Sequence, residues 1–269
     1  MRSEAVSRDG IRIAYETRGE GAPALVFVHG WSCHRGYWEA QVDALSADAL
    51  VVALDLAGHG DSGSAREAWT MSAFGEDVVA VVDHLALDDV VLVGHSMGAD
   101  VVLEAARHLR DRVRGLVWVD EHRQLSGFRS EAQVSERLAP FRADFPAAVE
   151  MFVRRMFPAT AELALVERVV KGIASAPKEI ALPAVEATWN YARNVPAVLA
   201  EVDLPVVAIN AEDADTDIES MHRSGVEVVV IPRVGHFPML EDPQAFNACL
   251  VRAIQAFPAR GKTDDRAGA

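Results

Sequence analysis

Val90-Val91-Leu92-Val93 runs directly into Gly94-His95-Ser96-Met97-Gly98, and an apolar helical pattern starts at once behind it. Four apolar residues in a row suit a strand covered on both faces. Val101, Val102, Ala105, Ala106 and Leu109 then recur at helical spacing. A strand, a sharp bend between glycines and a helix together make one βα unit. Such units belong to parallel sheets with helices on both faces.

The rest of the chain repeats that alternation. Apolar runs of four to six residues occur at Ala24–Val28, Leu50–Leu54, Leu116–Val119, Val206–Ile209 and Val226–Ile231. Helical stripes lie at Phe74, Val78, Val81, Val82 and Leu85, and again at Phe246, Leu250, Ile254 and Phe257. At the start, Ala5-Val6 and Ile11–Tyr15 flank Asp9-Gly10, a hairpin signal. The alternation breaks between Gln124 and Leu199, where no strand pattern is found and Pro140, Pro146, Pro158, Pro177, Pro183 and Pro196 punctuate a helical composition. Pro146 and Pro177 suit first turns of helices. The expected organisation is an α/β core over 1–123 and 200–259 and an inserted helical cap over 124–199. A polar, disordered tail is expected over 260–269.

Composition narrows the function classes. The 269 residues carry a formal charge of −14, and half are hydrophobic. An acidic chain of this kind lacks the basic face that nucleic acid or an anionic membrane requires. Cys33 and Cys249 form neither a disulfide framework nor a zinc pattern, so no metal is expected. With no apolar leader segment and no membrane-length apolar run, the expectation is a cytoplasmic monomer or homodimer.

Chemistry concentrates at Ser96. A strained strand–helix bend lifts its hydroxyl above the sheet, and the helix that follows aims free N–H groups and a positive dipole end at the same place. Its base is expected to be His236, in Gly235-His236-Phe237 after the last apolar run. The oxyanion donors are expected to be the backbone N–H groups of Met97 and Trp31, the latter in His29-Gly30-Trp31 after the first long apolar run. The side chains of Trp31 and Phe237 are candidates for substrate contact. His59, in the glycine-rich turn Asp55–Ser62, reads as loop support, and Cys33 as a small packing residue.

These pieces together — His29-Gly30-Trp31, Asp55–Ser62, Gly94–Gly98 and Gly235-His236-Phe237 — resemble the α/β-hydrolase fold family, in its serine-nucleophile branch. The resemblance implies a mostly parallel eight-stranded sheet with helices on both faces, a cap over the site and no cofactor. It also implies hydrolysis of esters or related acyl bonds. A small or medium apolar ester or lactone is the expected small-molecule substrate. Carbon–carbon bond hydrolases, thioesterases and perhydrolase-type haloperoxidases share the same residues, and a non-catalytic receptor on this fold is the reading from another class.

The acid that orients the histidine departs from the family pattern. The family usually carries it in the loop after the strand here at Val206–Ile209, as G-x-x-D. This loop reads Asn210-Ala211-Glu212-Asp213-Ala214-Asp215, one residue out of frame and without the usual proline beyond. Some members, the haloalkane dehalogenases among them, carry it at the end of the preceding strand, where this chain has Asp120. Asp120 is the favoured acid and Asp213 the alternative, with Glu212 and Asp215 behind them.

Overall fold

A computed structural model describes residues 2–212 and 215–259, leaving Asp213 and the 260–269 tail outside the described residues. It contains a sheet of eight strands: β1 (Arg2–Val6), β2 (Arg12–Arg18), β3 (Ala24–Val28), β4 (Val51–Leu54), β5 (Val90–His95), β6 (Val113–Val119), β7 (Val206–Ala211) and β8 (Val226–Ile231). The strand order is β1-β2-β4-β3-β5-β6-β7-β8. Only the pairs β1–β2 and β2–β4 are antiparallel. The continuous apolar runs became the central strands, buried at every position of β3, β4, β5 and β7. The edge strand β8 is half open, which explains Glu227 as its second residue.

The helices that follow are α1 (Glu39–Leu45), α2 (Met71–His84), α3 (Met97–Leu109), α4 (Glu131–Ala143), α5 (Phe145–Arg154), α6 (Leu163–Ala174), α7 (Lys178–Tyr191), α8 (Val195–Val202), α9 (Ile218–Arg223), α10 (Pro238–Glu241) and α11 (Pro243–Ala256). α2, α3 and α8 pack together on one side of the sheet, and α1 packs with α11 on the other. Trp38 seals the latter side. It is fully buried, with its ring centroid 5.0 Å from Phe27 and 6.2 Å from Phe246. No helix among the described residues is long and apolar enough to cross a membrane.

Five helices, α4 to α8, lie between β6 and β7. Pro146 falls in the first turn of α5 as the sequence suggests, and Pro177 sits one residue outside α7 as its cap. Pro140 and Pro183 are different, for they lie inside α4 and α7 rather than between helices. Each removes one backbone hydrogen bond, a loss that packing of the apolar faces offsets here.

Strand order decides where ligands can sit. From β3 the chain turns one way to β4, and from β5 it turns the other way to β6. The loops leaving the carboxyl ends of β3 and β5 therefore diverge and open a crevice between adjacent strands. Those two loops carry Trp31 and Ser96.

Candidate active site

Ser96 has φ 50° and ψ −123°, a conformation that side-chain-bearing residues rarely adopt. Such backbone strain costs on the order of 1–3 kcal/mol and persists only where surroundings enforce it. Here the Ser96 N–H is tied to the Val119 carbonyl at 3.0 Å, and its own carbonyl starts α3 through Ala99 N–H at 2.7 Å. The flanking glycines are required by close approach. A Cβ on Gly94 would stand 2.1 Å from the Gly98 carbonyl oxygen, and one on Gly98 would stand 2.5 Å from that of Val28. The bend can be this tight only because neither residue has a side chain.

The loop after β3 is held by two histidines whose tautomers follow from their partners. His29 Nε2 accepts from Leu56 N–H at 3.1 Å, so its Nδ1–H donates to the Gly30 carbonyl at 2.8 Å. His59 Nε2 accepts from Ser32 N–H at 3.2 Å, and its Nδ1–H donates to the Ala57 carbonyl at 2.9 Å. Burial lowers the basicity of both rings, so both stay neutral and keep these roles. His59 thus clamps one loop to another. The Trp31 N–H between these anchors meets no acceptor among the described residues. Met97, first residue of α3, has its N–H at the helix start where no intrahelical acceptor exists.

His236 lies in the loop after β8, and its N–H donates to the Met156 carbonyl at 2.7 Å. His95 Nε2–H donates to the His236 carbonyl, also at 2.7 Å. Burial drives His95 down to about 3, so this ring is a neutral prop. The side chain of His236 meets Asp120: Nδ1 lies 2.7 Å from Oδ2. Asp120 also accepts from Ala211 N–H at 2.8 Å and from Arg123 Nη2 at 2.8 Å. Burial would push this carboxyl upward, but the bonds from His236 and the charge of Arg123 outweigh it and hold it at about 2. An ionised carboxylate only accepts, so Nδ1 of His236 carries a proton, and in the neutral ring this fixes the tautomer whose lone pair is on Nε2.

The other acid candidates do not meet the histidine. Glu212 and Asp215 are exposed, and no hydrogen bond joins either to His236; Asp213 lies outside the described residues. Three neighbours went unnoticed in the sequence. Arg123 braces Asp120 from three residues on, and His95 props His236. The third is His122, which donates from Nε2 to buried Asp100 at 2.9 Å and makes a second imidazole–carboxylate pair beside the first. The signal for that pair was an aspartate at an otherwise apolar position of α3.

The depressed pKa of Asp120 has a consequence for stability. A carboxyl whose folded value lies below its ordinary 3.8 stabilises the fold above that value, and the contribution vanishes as pH falls toward about 2. Acid unfolding followed by circular dichroism should therefore show wild type losing roughly 2 kcal/mol more than Asp120→Asn between pH ~4 and ~2.

Ser96, His236, Asp120, Met97, Trp31 and Phe237 all border one cavity of about 1100 Å³. Trp31 is fixed there by a bond from Nε1 to the Ala181 carbonyl of α7 at 2.7 Å. Its ring meets Phe141, Phe145 and Phe152 edge-on, at 6.0–6.2 Å between centroids. Cys33 borders the same space, but burial pushes its thiol up to about 12, which keeps it in the neutral thiol form. The lining is not wholly apolar as the sequence suggested: Arg123, Arg129, Arg137 and Arg155 share it.

Residues 25–248 match the model of the alpha/beta hydrolase family. A dihydrolipoyllysine-residue acetyltransferase component of the acetoin cleaving system of Pseudomonas putida is 30% identical over 244 residues, covering 87% of this chain and 64% of that protein. The match thus spans less than two thirds of that relative. A thermophilic esterase from Thermogutta terrifontis superposes with TM-score 0.81 at 26% identity, covering 95% of this chain and 98% of the other. An N-acyl homoserine lactone degrading enzyme superposes with TM-score 0.77 at 27% identity, covering 92% and 99%. A motif set, a strand order and a family model that spans most of the sequence agree: this chain belongs to the alpha/beta hydrolase family.

Proposed function

We propose that this chain is a cofactor-free serine hydrolase that cleaves a small or medium ester or lactone through an acyl-enzyme. The observation that carries the reading is the 2.7 Å bond between His236 Nδ1 and an ionised Asp120. It leaves the Nε2 lone pair as base on the cavity that Ser96 also borders. Ser96 Oγ attacks the carbonyl carbon while His236 Nε2 takes its proton. The carbonyl oxygen becomes an oxyanion held by the N–H groups of Trp31 and Met97. His236 then gives the proton to the leaving alkoxide, and the ester Oγ–acyl bond remains. Water attacks next, losing a proton to His236; the acid departs and Ser96 recovers its hydrogen.

Helices α4 to α7 serve in this reading as a cap that supplies the aromatic wall at Phe141 and Phe152, whereas α8 packs with α3 on the sheet. The esterase and the lactone-degrading enzyme among the structural neighbours support the choice of substrate class. The test is hydrolysis of p-nitrophenyl butyrate by the purified protein. Turnover well above the background rate, with a kcat/KM on the order of 10⁴ M⁻¹s⁻¹, is the expected result. A rate no higher than that of buffer across acetate, butyrate and octanoate esters ends the esterase reading.

A further inference from the structure

Arginines in most of this acidic molecule find carboxylates. Arg35 pairs with Asp55 and Asp61, Arg66 with Asp9 and Asp77, and Arg154 with Glu150 and Glu167. Arg129, Arg137 and Arg155 border the cavity and make no ion pair or side-chain hydrogen bond among the described residues. All three are exposed, and Arg137 is set apart by the two aromatic rings it lies against at the edge of the cavity. The guanidinium of Arg137 lies 4.5 Å from the Trp189 ring centroid and 5.6 Å from that of Phe152. Stacking of this kind covers the faces of the guanidinium and leaves its in-plane N–H donors to bind something else.

A second cation stands close by. Desolvation lowers the basicity of Arg137, and the charge of Arg129 presses the same way, with Glu121 opposing. Arg155 follows Phe152 by three residues at the end of α5, which brings a third guanidinium to the same wall. Glu121 and Asp215 border the cavity too, yet neither lies at ion-pair distance from these arginines. Like charges gathered without a contact carboxylate, beside an aromatic wall, are arranged for an anion whose remainder is apolar.

We propose that this wall is an anion subsite, and that the ester taken by this site carries a carboxylate several bonds from the scissile carbonyl. The apolar part of such a molecule would lie against Trp31, Phe141 and Phe152, and the carboxylate would reach Arg137 with Arg129 or Arg155. A cavity of about 1100 Å³ has room for both parts. The inference rests on the serine-hydrolase reading for the word ester, but the anion preference is measured separately.

Binding is read by calorimetry on Ser96→Ala, which holds substrate without turning it over. Mono-p-nitrophenyl adipate is compared with p-nitrophenyl 6-methylheptanoate, in which an isopropyl group replaces the carboxylate at similar shape. 4-Carboxymethylphenyl butyrate and 4-isobutylphenyl butyrate make the same comparison on the alcohol side. Adding Arg137→Gln should lower the ratio of anionic to neutral affinity about 10-fold in at least one pair. Arg137→Lys, which keeps the charge, should recover part of it. Raising NaCl from about 0.05 to about 0.5 M should shrink the same ratio without any second substitution. Ratios unmoved by Arg137→Gln, Arg155→Gln and salt in both pairs would overturn the subsite. Failure of the Ser96-bearing protein to hydrolyse any of the four esters would instead overturn the serine-hydrolase reading, while the affinity ratios still decide the subsite.

Discussion

Ser96→Ala is expected to lower kcat for ester hydrolysis by on the order of 10⁶-fold while the protein stays folded. The size follows from the role proposed for the hydroxyl: in that mechanism no acyl-enzyme forms without it, and only the N–H groups of Trp31 and Met97 would remain to act on the carbonyl. The fold should survive because the Ser96 hydroxyl makes no hydrogen bond that caps α3, whereas its backbone N–H bond to Val119 is kept by alanine. Loss of the hydroxyl and loss of the imidazole should not add. Ser96→Ala/His236→Ala is expected to be about as slow as either single variant, since the two groups act in one step. Steady-state kinetics on p-nitrophenyl butyrate, with circular dichroism as the folding control, checks both statements. A double variant slower by the product of the single losses would mean the two residues work independently.

The second large effect is expected at Asp120. Asp120→Asn should cost on the order of 10⁴-fold in kcat. The carboxylate fixes the His236 proton on Nδ1; an amide can donate to that nitrogen instead, which places the proton on Nε2 and removes the base. Arg123 would lose its partner at the same time, leaving a partly buried cation uncompensated. Glu212→Gln, at an exposed residue with no hydrogen bond to the histidine, should leave kcat unchanged. The telling comparison is with Asp213→Asn. If that variant lost four orders of magnitude and Asp120→Asn did not, the acid would be misassigned.

Much of this architecture could be read from the chain because burial writes itself into sequence. Strands covered on both faces must be apolar throughout, so Val90–Val93 and Val206–Ile209 were visible as runs, and the amphipathic helices between them as stripes. The Ser96 bend was legible because its tightness admits only glycine at Gly94 and Gly98. Partner choice was not legible. Asp120, Glu212 and Asp215 all sit near strand ends, and which carboxylate reaches His236 depends on strand order and on a positive φ of 49° at Asp120, neither of which leaves a pattern in residue spacing.

The insertion hid most. Helix-breaking Pro140 and Pro183 lie within helices, because tertiary packing overrides the local cost. Nothing in the residue spacing marks the arginines of its wall. Only the fold shows that Arg129, Arg137 and Arg155 border the same cavity as Ser96 and lack carboxylate partners among the described residues. The mixed lining, with aromatic rings and guanidiniums side by side, is a property of how α4, α5 and α7 meet the loop after β6. No single segment carries it.

The most direct test of the central claim is mass spectrometry after treatment with a fluorophosphonate. Such a reagent reacts fast with a serine whose proton is removed by a neighbouring base and slowly with an unactivated hydroxyl. Wild type should gain one adduct, mapped by peptide sequencing to Ser96, and His236→Ala should gain none in the same time. An unlabelled wild type, or an adduct mapped to any other residue, would contradict the account.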